Sequence, residues 1–283
     1  MTTIHLDAPP APYTTAPQRI AADTYLIPSL MPAEPGTFVY LNSMVILGEQ
    51  PVVVDTGAPL FREQWLESVT SILDPADIRW IFISHDDGDH VGNLADLLAM
   101  APNAKVVANF FTNERMRADR PGELPIDRQV WLDAGSTIDA GDRTLHLFRP
   151  PIFDGPTTRG LYDDRSGVMW AVDSFAALTI GAVDDSTDVP ADLYDDSFQL
   201  FNSLVSPWHA WLDPTVYGRH VDFVESLAPT TIASAHGAVL RGPAIPDGFA
   251  RLRRMAGQPN TPAPGQDTLD QLIAMTLAAP EPA

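Results

Sequence analysis

The chain has 283 residues, of which 45% are hydrophobic, and a net charge of −20. This length and this hydrophobic fraction are enough for one large domain with a sizeable core. The acidic balance argues against nucleic-acid binding, because such a surface needs clustered lysines and arginines to displace counterions from phosphates. The absence of cysteine excludes disulfides, iron-sulfur clusters and thiolate ligands. Any metal must therefore be bound by histidines and carboxylates.

The N-terminal residues have neither the basic region nor the apolar region of a signal peptide. No run approaches the roughly 20 apolar residues that a membrane span needs, so we expect a cytoplasmic protein without membrane contact. Residues 1–18 are rich in Pro, Ala and Thr and predict a flexible N-terminal arm. We expect residues 19–255 to form the folded domain, and residues 256–283 to form a Pro- and Gly-rich extension with a short helix.

Apolar runs and helical periodicities follow one another along the chain. In the first half the predicted strands are Tyr25–Ile27, Phe38–Leu41, Met44–Leu47, Val52–Val54, Trp80–Ile83 and Lys105–Ala108. A helix is predicted between Phe61 and Leu73, and another begins near Leu94. Later strands are predicted at Gln129–Leu132, Thr144–Phe148, Val168–Val172 and Thr231–Ala235, with helices at 197–205, 214–228 and Leu269–Leu277. This alternation predicts a layered α/β fold.

The most informative segment lies directly after the predicted strand Trp80–Ile83 and before a helical pattern. It contains four residues that could all bind metal: His85, Asp87, Asp89 and His90. The alternative is an acidic turn that only caps the next helix. A cap needs one residue, whereas two histidines at this spacing favour a metal site.

Three further candidate ligands each follow a predicted strand, namely Asp154, Asp173 and His236. Strand ends at one edge of a sheet are common positions for binding sites. Asp173 and His236 could instead be ordinary turn residues. Asp154 lies in a Gly-Pro turn, where aspartate is frequent for conformational reasons alone.

The segment His85-Asp86-Asp87-Gly88-Asp89-His90 resembles the HxHxDH motif of the metallo-β-lactamase superfamily, with Asp87 in place of the second histidine. A carboxylate there is similar to the HxExDH motif of flavodiiron proteins and single-domain oxygen-binding diiron proteins. The likeness extends to Asp55-Thr56-Gly57, His90-Val91-Gly92-Asn93, Pro102–Val107 and Ser234–Gly237, and covers about residues 20–245. It implies an αββα sandwich of two mixed β-sheets flanked by helices.

The resemblance also implies a ligand set for two metal ions. One metal would be bound by His85, Asp87 and the residue at position 154, the other by Asp89, His90 and His236, with Asp173 bridging them. Position 154 departs from the family, which has histidine there, and Asp154 is assigned by its spacing from Asp173.

Two residues have predicted roles beside the ligands. We expect Asp55 to orient a ligand by hydrogen bonds, although it could simply cap a helix. His209, in an aromatic segment, is a candidate proton donor or substrate contact, and the alternative is a packed structural histidine.

Three imidazoles and four carboxylates favour iron, with manganese and zinc as alternatives. The first hypothesis is therefore a diiron protein, an oxidoreductase or oxygenase, that binds, reduces or activates O2 or a related small oxidant. Because the chain ends at Ala283, soon after His236, we expect no flavodoxin domain and a separate electron-donor protein. The resemblance also implies a homodimer.

Two other functions are compatible with the sequence. A metal-dependent hydrolase would attack an ester, thioester, lactone or phosphodiester as its small-molecule substrate with a metal-bound hydroxide. A degenerate, non-catalytic protein would hold metal weakly or not at all. The carboxylates at positions 87 and 154 favour the oxygen chemistry over hydrolysis, because the resemblance implies histidine at these positions in hydrolytic members of the superfamily.

Overall fold

The computed structural model of the protein describes residues 11–33 and 36–278. Its strands are β1 (Tyr13–Thr14), β2 (Gln18–Ala21), β3 (Thr24–Ile27), β4 (Ser29–Pro32), β5 (Phe38–Tyr40), β6 (Ser43–Ile46), β7 (Val52–Val54), β8 (Trp80–Phe82), β9 (Lys105–Ala108), β10 (Gln129–Trp131), β11 (Thr137–Asp139), β12 (Thr144–Phe148), β13 (Gly160–Asp163), β14 (Val168–Trp170), β15 (Thr231–Ala233) and β16 (Leu240–Arg241). Its α-helices are α1 (Arg62–Ile72), α2 (Gly88–Val91), α3 (Leu94–Met100), α4 (Phe110–Asp119), α5 (Ala191–Val205), α6 (Pro214–Glu225), α7 (Ala244–Met255) and α8 (Gln266–Ala278). Short 3-10 helices span Pro59–Phe61, Pro75–Asp77, Ile126–Arg128, Ser186–Asp188 and Pro207–Trp211.

Two large mixed sheets form the centre of the fold. The 7-stranded sheet has the order β10-β9-β8-β7-β6-β3-β2, and its strands β7 to β10 are parallel. The 6-stranded sheet has the order β11-β12-β13-β14-β15-β16, with β14 and β15 parallel. A small sheet, β1-β4-β5, lies beside them. The parallel strands β8, β14 and β15 are each followed by predicted ligands, and Asp154 lies in the loop between the antiparallel strands β12 and β13.

The layers follow from alternating side chains along each strand. Val54 of the first sheet packs with Trp170 of the second in the core between the sheets. The adjacent residue Val53 points to the other face, where it packs with Trp65 of α1. On the outer face of the second sheet, α6 and α7 contribute a third cluster that includes Phe249. This is an αββα sandwich, so the predicted fold class is confirmed.

Several elements differ from those predicted. Helix α5 begins at Ala191, directly after Pro190, and so starts earlier than the helix predicted at 197–205. Asp192 lies in its first turn, where a negative charge interacts favourably with the helix dipole. Strand β13 and helix α4 were not predicted, because neither has a clear apolar periodicity.

The ends of the chain bear on the predicted domain limits. Strand β1 lies within the predicted arm and pairs with β4, with Tyr13 opposite Leu30. Residues 1–10 of that arm lie outside the described residues, and the boundaries at 18 and 255 stay predictions. Helix α8 lies in the predicted C-terminal extension. Within 11–33 and 36–278, the helices are too short or too polar to cross a bilayer.

A buried arginine joins three acidic segments of the fold. The Arg143 guanidinium donates to Asp163 at 3.0 Å, to Asp142 at 3.1 Å and to Asp23 at 2.5 Å. The side chains of Arg143 and Asp163 are both 1% exposed. The hydrogen bond from Arg143 is the main reason that the pKa of Asp142 is lowered to about 2.

This cluster predicts a pH-dependent loss of stability in Arg143→Met. Asp163 would remain buried without its partner, so we expect the free energy of unfolding at neutral pH to fall by about 3–5 kcal/mol. Asp142 has a lowered pKa when folded, so its contribution is complete above the ordinary carboxylate value near 4 and is lost as the pH falls through 2. The difference between wild type and variant should therefore shrink between pH 4 and pH 2.

Urea unfolding followed by circular dichroism at several pH values measures this difference. Arg165→Met is the control, because Arg165 also pairs with Asp142 but its side chain is 53% exposed. Exposed pairs contribute at most about 1 kcal/mol. A difference that stays constant down to pH 2 would contradict the prediction.

Candidate metal centre

The loops after four strands bring the predicted ligands together. His85 follows β8, and Asp87, Asp89 and His90 lie at the start of α2 or within it. The others lie in the loop between β12 and β13, after β14 and after β15: Asp154, Asp173 and His236. These side chains form three groups of potential ligand atoms: His85, Asp87 and Asp154; Asp89, His90 and His236; and His85, His90 and Asp173, which shares one histidine with each of the other two groups.

The first subsite consists of His85, Asp87 and Asp154. Their potential ligand atoms all lie within 4.8 Å of one another, and His85 Nε2 is 3.8 Å from Asp87 Oδ2. Both aspartates are exposed, whereas His85 is buried. Burial raises the pKa of Asp87; His85 opposes this increase, and the nearby Asp154 carboxylate adds to it. A cation between the two carboxylates would relieve their repulsion.

The second subsite consists of Asp89, His90 and His236. Asp89 Oδ2 lies 3.5 Å from His90 Nε2 and 3.6 Å from His236 Nε2. Burial lowers the pKa of His90, but the Asp89 and Asp55 carboxylates raise it to about 10. A histidine that holds its proton so strongly lies in a field that also attracts metal cations.

Asp173 lies between the two subsites and is 3% exposed. Its Oδ2 atom is 3.9 Å from His85 Nε2 in the first subsite. Its Oδ1 atom is 3.7 Å from His90 Nε2 and 3.3 Å from His236 Nε2 in the second. Burial raises the pKa of Asp173, but the surrounding imidazoles outweigh burial and hold it well below its usual range. One carboxylate oxygen therefore faces each subsite.

The three imidazoles have the same orientation. In each ring Nε2 faces the carboxylates, while Nδ1 faces the protein. Nδ1 of His236 donates to the Tyr40 carbonyl at 2.9 Å, and Nδ1 of His90 donates to Asp55 at 2.8 Å. Nδ1 of His85 lies 3.1 Å from the Ser84 hydroxyl. Such contacts fix the ring and leave the other nitrogen available to bind metal.

The hydrogen bonding of the centre is incomplete in a way that fits metal ions. Among the described residues, His90 Nε2 and both carboxylate oxygens of Asp173 are buried without a hydrogen-bond partner. An unsatisfied buried polar atom costs about 1–3 kcal/mol. Two donors bound to one metal at about 2.0–2.2 Å lie no more than about 4.4 Å apart. The distances of 3.3 to 3.9 Å around Asp173 meet this limit.

Asp55 is a buried acceptor beneath the second subsite. It is 0% exposed and has a positive φ of 57°, just after β7. Its Oδ1 accepts the Ser84 backbone N–H at 2.7 Å. Its Oδ2 accepts from the Ser84 hydroxyl at 2.7 Å, from His90 at 2.8 Å and from Trp170 Nε1 at 3.1 Å. Asp55 thus lies where it can accept from His90 and is not the cap residue of a described helix, and its orienting role stays a prediction.

Gly92 and Asn93 explain the remainder of the sequence motif. A Cβ atom at Gly92 would lie 2.6 Å from the carbonyl oxygens of Gly57 and Gly88, so only glycine fits. The Asn93 side chain donates to the Thr56 carbonyl at 2.7 Å. Together these two residues hold the loop of Asp55 against the loop of His85 and His90.

Four residues near the centre were not predicted. Ser84 and Trp170 bind Asp55, Tyr40 holds His236, and Arg115 of α4 pairs with Asp86 at 2.8 Å. Ser84 lies beside His85, and Trp170 lies on the strand that leads to Asp173, so both could have been considered. Tyr40 and Arg115 are distant in sequence, and no pattern connects them with the site.

The structure places His209 in a separate polar network. It is 0% exposed, with Nδ1 2.8 Å from the Met255 carbonyl and Nε2 3.1 Å from the Ser203 hydroxyl. Its recorded hydrogen bonds do not include a predicted ligand. Both ring nitrogens are already occupied, which favours the structural alternative over a proton donor.

A family model described as ODP family beta lactamase matches residues 39–237, a range that includes every predicted ligand. The chain belongs to this family. Membership confirms the resemblance to the metallo-β-lactamase superfamily that the loop motif predicts.

Flavodiiron proteins are among the relatives of this family member. The chain is 36% identical over 214 residues to the flavo-diiron protein FprA2 of Clostridium acetobutylicum. The matched region covers 75% of this chain and 51% of the relative. It is 21% identical over 203 residues to a nitric oxide reductase of Moorella thermoacetica. This matched region covers 71% of this chain and 49% of the reductase. The rubredoxin oxygen:oxidoreductase of Desulfovibrio gigas has the same fold, with a TM-score of 0.73 and 17% identity over 84% of this chain and 61% of that one. The chain spans about a quarter to a half of the length of the curated relatives it matches.

Asp55→Asn tests the orienting role of the buried carboxylate. The Asp55 carboxylate accepts from four donors: the backbone N–H and hydroxyl of Ser84, His90 Nδ1 and Trp170 Nε1. An amide has only one acceptor atom, so at least one of these donors loses its partner. We expect the affinity of the second subsite for metal to fall about 10- to 100-fold. Metal content after dialysis at graded Mn(II) concentrations measures this change. Asp77→Asn is the matched control, because Asp77 is exposed at the end of the short 3-10 helix Pro75–Asp77; equal affinities in both variants would refute the role.

Asp154→Ala tests the weakest ligand assignment. If Asp154 is a ligand, the variant should retain the metal of the second subsite and lose that of the first. If it is only a turn residue that accepts from Thr158, both metals should remain. Metal analysis of the purified variant distinguishes these results, with the exposed Asp127→Ala as control.

Proposed function

We propose that this member of the family holds two metal ions, both iron, and binds, reduces or activates O2 or a related small oxidant. The observation that carries the proposal is the buried Asp173 carboxylate, whose two unpartnered oxygens face separate groups of ligand atoms. A single carboxylate between two such groups is suited to bridge a pair of cations. The names of the relatives, a flavo-diiron protein and a nitric oxide reductase, support the same chemistry.

The composition of the ligand set supports iron over zinc. Three imidazoles and four carboxylates supply mostly oxygen donors, which suit iron or manganese. The four carboxylates carry a charge of −4, which two divalent cations would neutralise. Bound iron would supply one-electron redox chemistry and coordination positions for a small oxidant.

The side chains of the chain itself divide the remaining tasks. Asp173, the imidazoles and Asp89 are buried or partly buried and would hold the cations in place. Asp87 and Asp154 are exposed, so a small molecule can reach the centre from the side of the first subsite. Histidines and aspartates are not reductants, so we infer that reduction requires an electron-donor protein. We also propose that the chain pairs as a homodimer.

Anaerobic loading with Fe(II) followed by O2 tests the proposal. The metal-free protein is given two equivalents of Fe(II), and its optical spectrum is followed as O2 or nitric oxide is admitted. We expect two irons per chain and a new charge-transfer band. Asp173→Asn, which keeps the shape but removes the charge, should hold one iron or fewer and give no such band.

Other results would identify the alternatives. Preferential binding of zinc, turnover of an ester or lactone and no reaction with O2 would make the protein a hydrolase and overturn the oxygen chemistry. Failure to retain any metal would identify a degenerate site.

A further inference from the structure

Arg159 is a fully buried cation that is not among the predicted ligands. Its exposure is 0%, and in the part of the chain that the structure describes its guanidinium has carbonyl acceptors and no carboxylate at ion-pair distance. It also lies over the Phe82 ring, 5.4 Å from the centroid. Burial lowers the pKa of Arg159 to about 10, so it remains charged at neutral pH. A buried charge without a partner is costly and calls for a compensating role.

The contacts of Arg159 join the two loops that form the first subsite. Nη2 donates to the Ile83 carbonyl at 2.5 Å, and the Arg159 backbone N–H donates to the Ser84 carbonyl at 2.9 Å. Ile83 and Ser84 are the two residues before His85 in the sequence. On the other side, Nε donates to the Thr157 carbonyl at 3.3 Å. Thr157 belongs to the loop of Asp154.

Two further contacts make this connection rigid. Arg159 Nη1 donates to the Leu132 carbonyl at 2.6 Å, which fixes the guanidinium against the end of β10. The Thr158 hydroxyl donates to Asp154 Oδ1 at 2.5 Å. A displacement of Arg159 would therefore change the position of Asp154 relative to His85.

The charge of Arg159 also matters to the centre. Two carboxylates raise the pKa of Arg159 against the effect of burial: Asp133 has the larger effect, and Asp55, which is as buried as Arg159, has the smaller one. Without Arg159, the surroundings of the metal ions would be more negative by one unit.

We propose that Arg159 is a positioning residue for the first subsite, which sets the spacing of His85 and Asp154 and leaves the second subsite unaffected. The inference rests on the proposed two-metal function. Arg159 contacts the segments beside His85 and Asp154, which are ligands of the first subsite. We therefore expect its effect in the affinity of the metal bound there and not in a loss of all binding.

Arg128 provides a matched control. Its guanidinium also donates to three backbone carbonyls: those of Leu98, Ala101 and Ala104. These acceptors lie at the end of α3 and before β9, away from the predicted ligands. Arg128 therefore shares the structural role of Arg159 without its position beside the two loops.

Binding of Mn(II) to Arg159→Lys and Arg128→Lys separates the two roles. Lysine keeps the charge, but one ammonium cannot reproduce the fork of contacts. We expect Arg159→Lys to bind one of its two Mn(II) ions at least tenfold more weakly than wild type and the other unchanged. Arg128→Lys should bind both as wild type does. Circular dichroism verifies the fold of each variant, and Arg159→Met serves as the stronger change.

A double-mutant cycle assigns the affected subsite. Combined with Asp154→Ala, Arg159→Lys should cause no further loss, because both act on the same metal. The double variant with Asp55→Asn should bind both metals more weakly than wild type. Unchanged affinities in Arg159→Lys, or equal weakening of both metals, would overturn the positioning role.

The same measurements distinguish this inference from the proposed function. Wild-type protein that binds fewer than two Mn(II) ions would overturn both. Two ions without any reaction of the iron form with O2 would overturn only the oxygen chemistry. Two ions in wild type and in Arg159→Lys, with equal affinities, would overturn only the role of Arg159.

Discussion

The concentration of negative charge around Asp173 is the constraint on which the centre depends. A carboxylate that is 3% exposed, with both oxygens unpartnered, is unfavourable unless positive charge lies beside it. Against the effect of burial, the surrounding imidazoles hold the pKa of Asp173 well below its usual range, while the Asp89 and Asp55 carboxylates, and to a smaller extent Asp173, raise the pKa of His90 to about 10 and so retain its proton. A metal ion would replace this proton, so binding and deprotonation are coupled. The fold holds the like charges together in advance of binding.

The fold achieves this by fixing the backbone on both sides of the centre. On one side Asp55 accepts four hydrogen bonds, and Gly92 and Asn93 contact the two residues that follow it. On the other side Arg159 donates to carbonyls of three segments. Both residues are fully buried and opposite in charge. The ligands thus lie on loops, but the loops are attached to the two sheets at buried, charged points.

Much of this could be predicted from the sequence, for an identifiable physical reason. Strands such as Val52–Val54 and Trp80–Phe82 are short, apolar and followed by polar residues, so the pattern indicates both the layer and the position of the ligands. The spacing between His85 and His90 reflects one loop and one helical turn. It depends only on neighbouring residues, so it could be predicted from the sequence. Arg159 could not be predicted, because its acceptors are backbone carbonyls, which have no signature in the sequence. His209 shows a similar limit, since a histidine among aromatic residues gives no indication of which partners its ring will find.

The two subsites differ in how firmly their ligands are held, because they differ in the number and burial of their imidazoles and carboxylates. The second subsite contains two imidazoles that are held by Asp55 and Tyr40, and its single carboxylate is half-buried. The first subsite has one imidazole and two exposed carboxylates, whose repulsion is visible in the effect of Asp154 on the pKa of Asp87. Exposed carboxylates can change position at low cost, whereas a buried imidazole cannot. The second subsite is therefore the rigid partner, and the first is the one whose geometry must be imposed by residues beyond the ligands. This requirement explains why a buried arginine, costly in itself, lies between the two loops that supply the ligands of the first subsite.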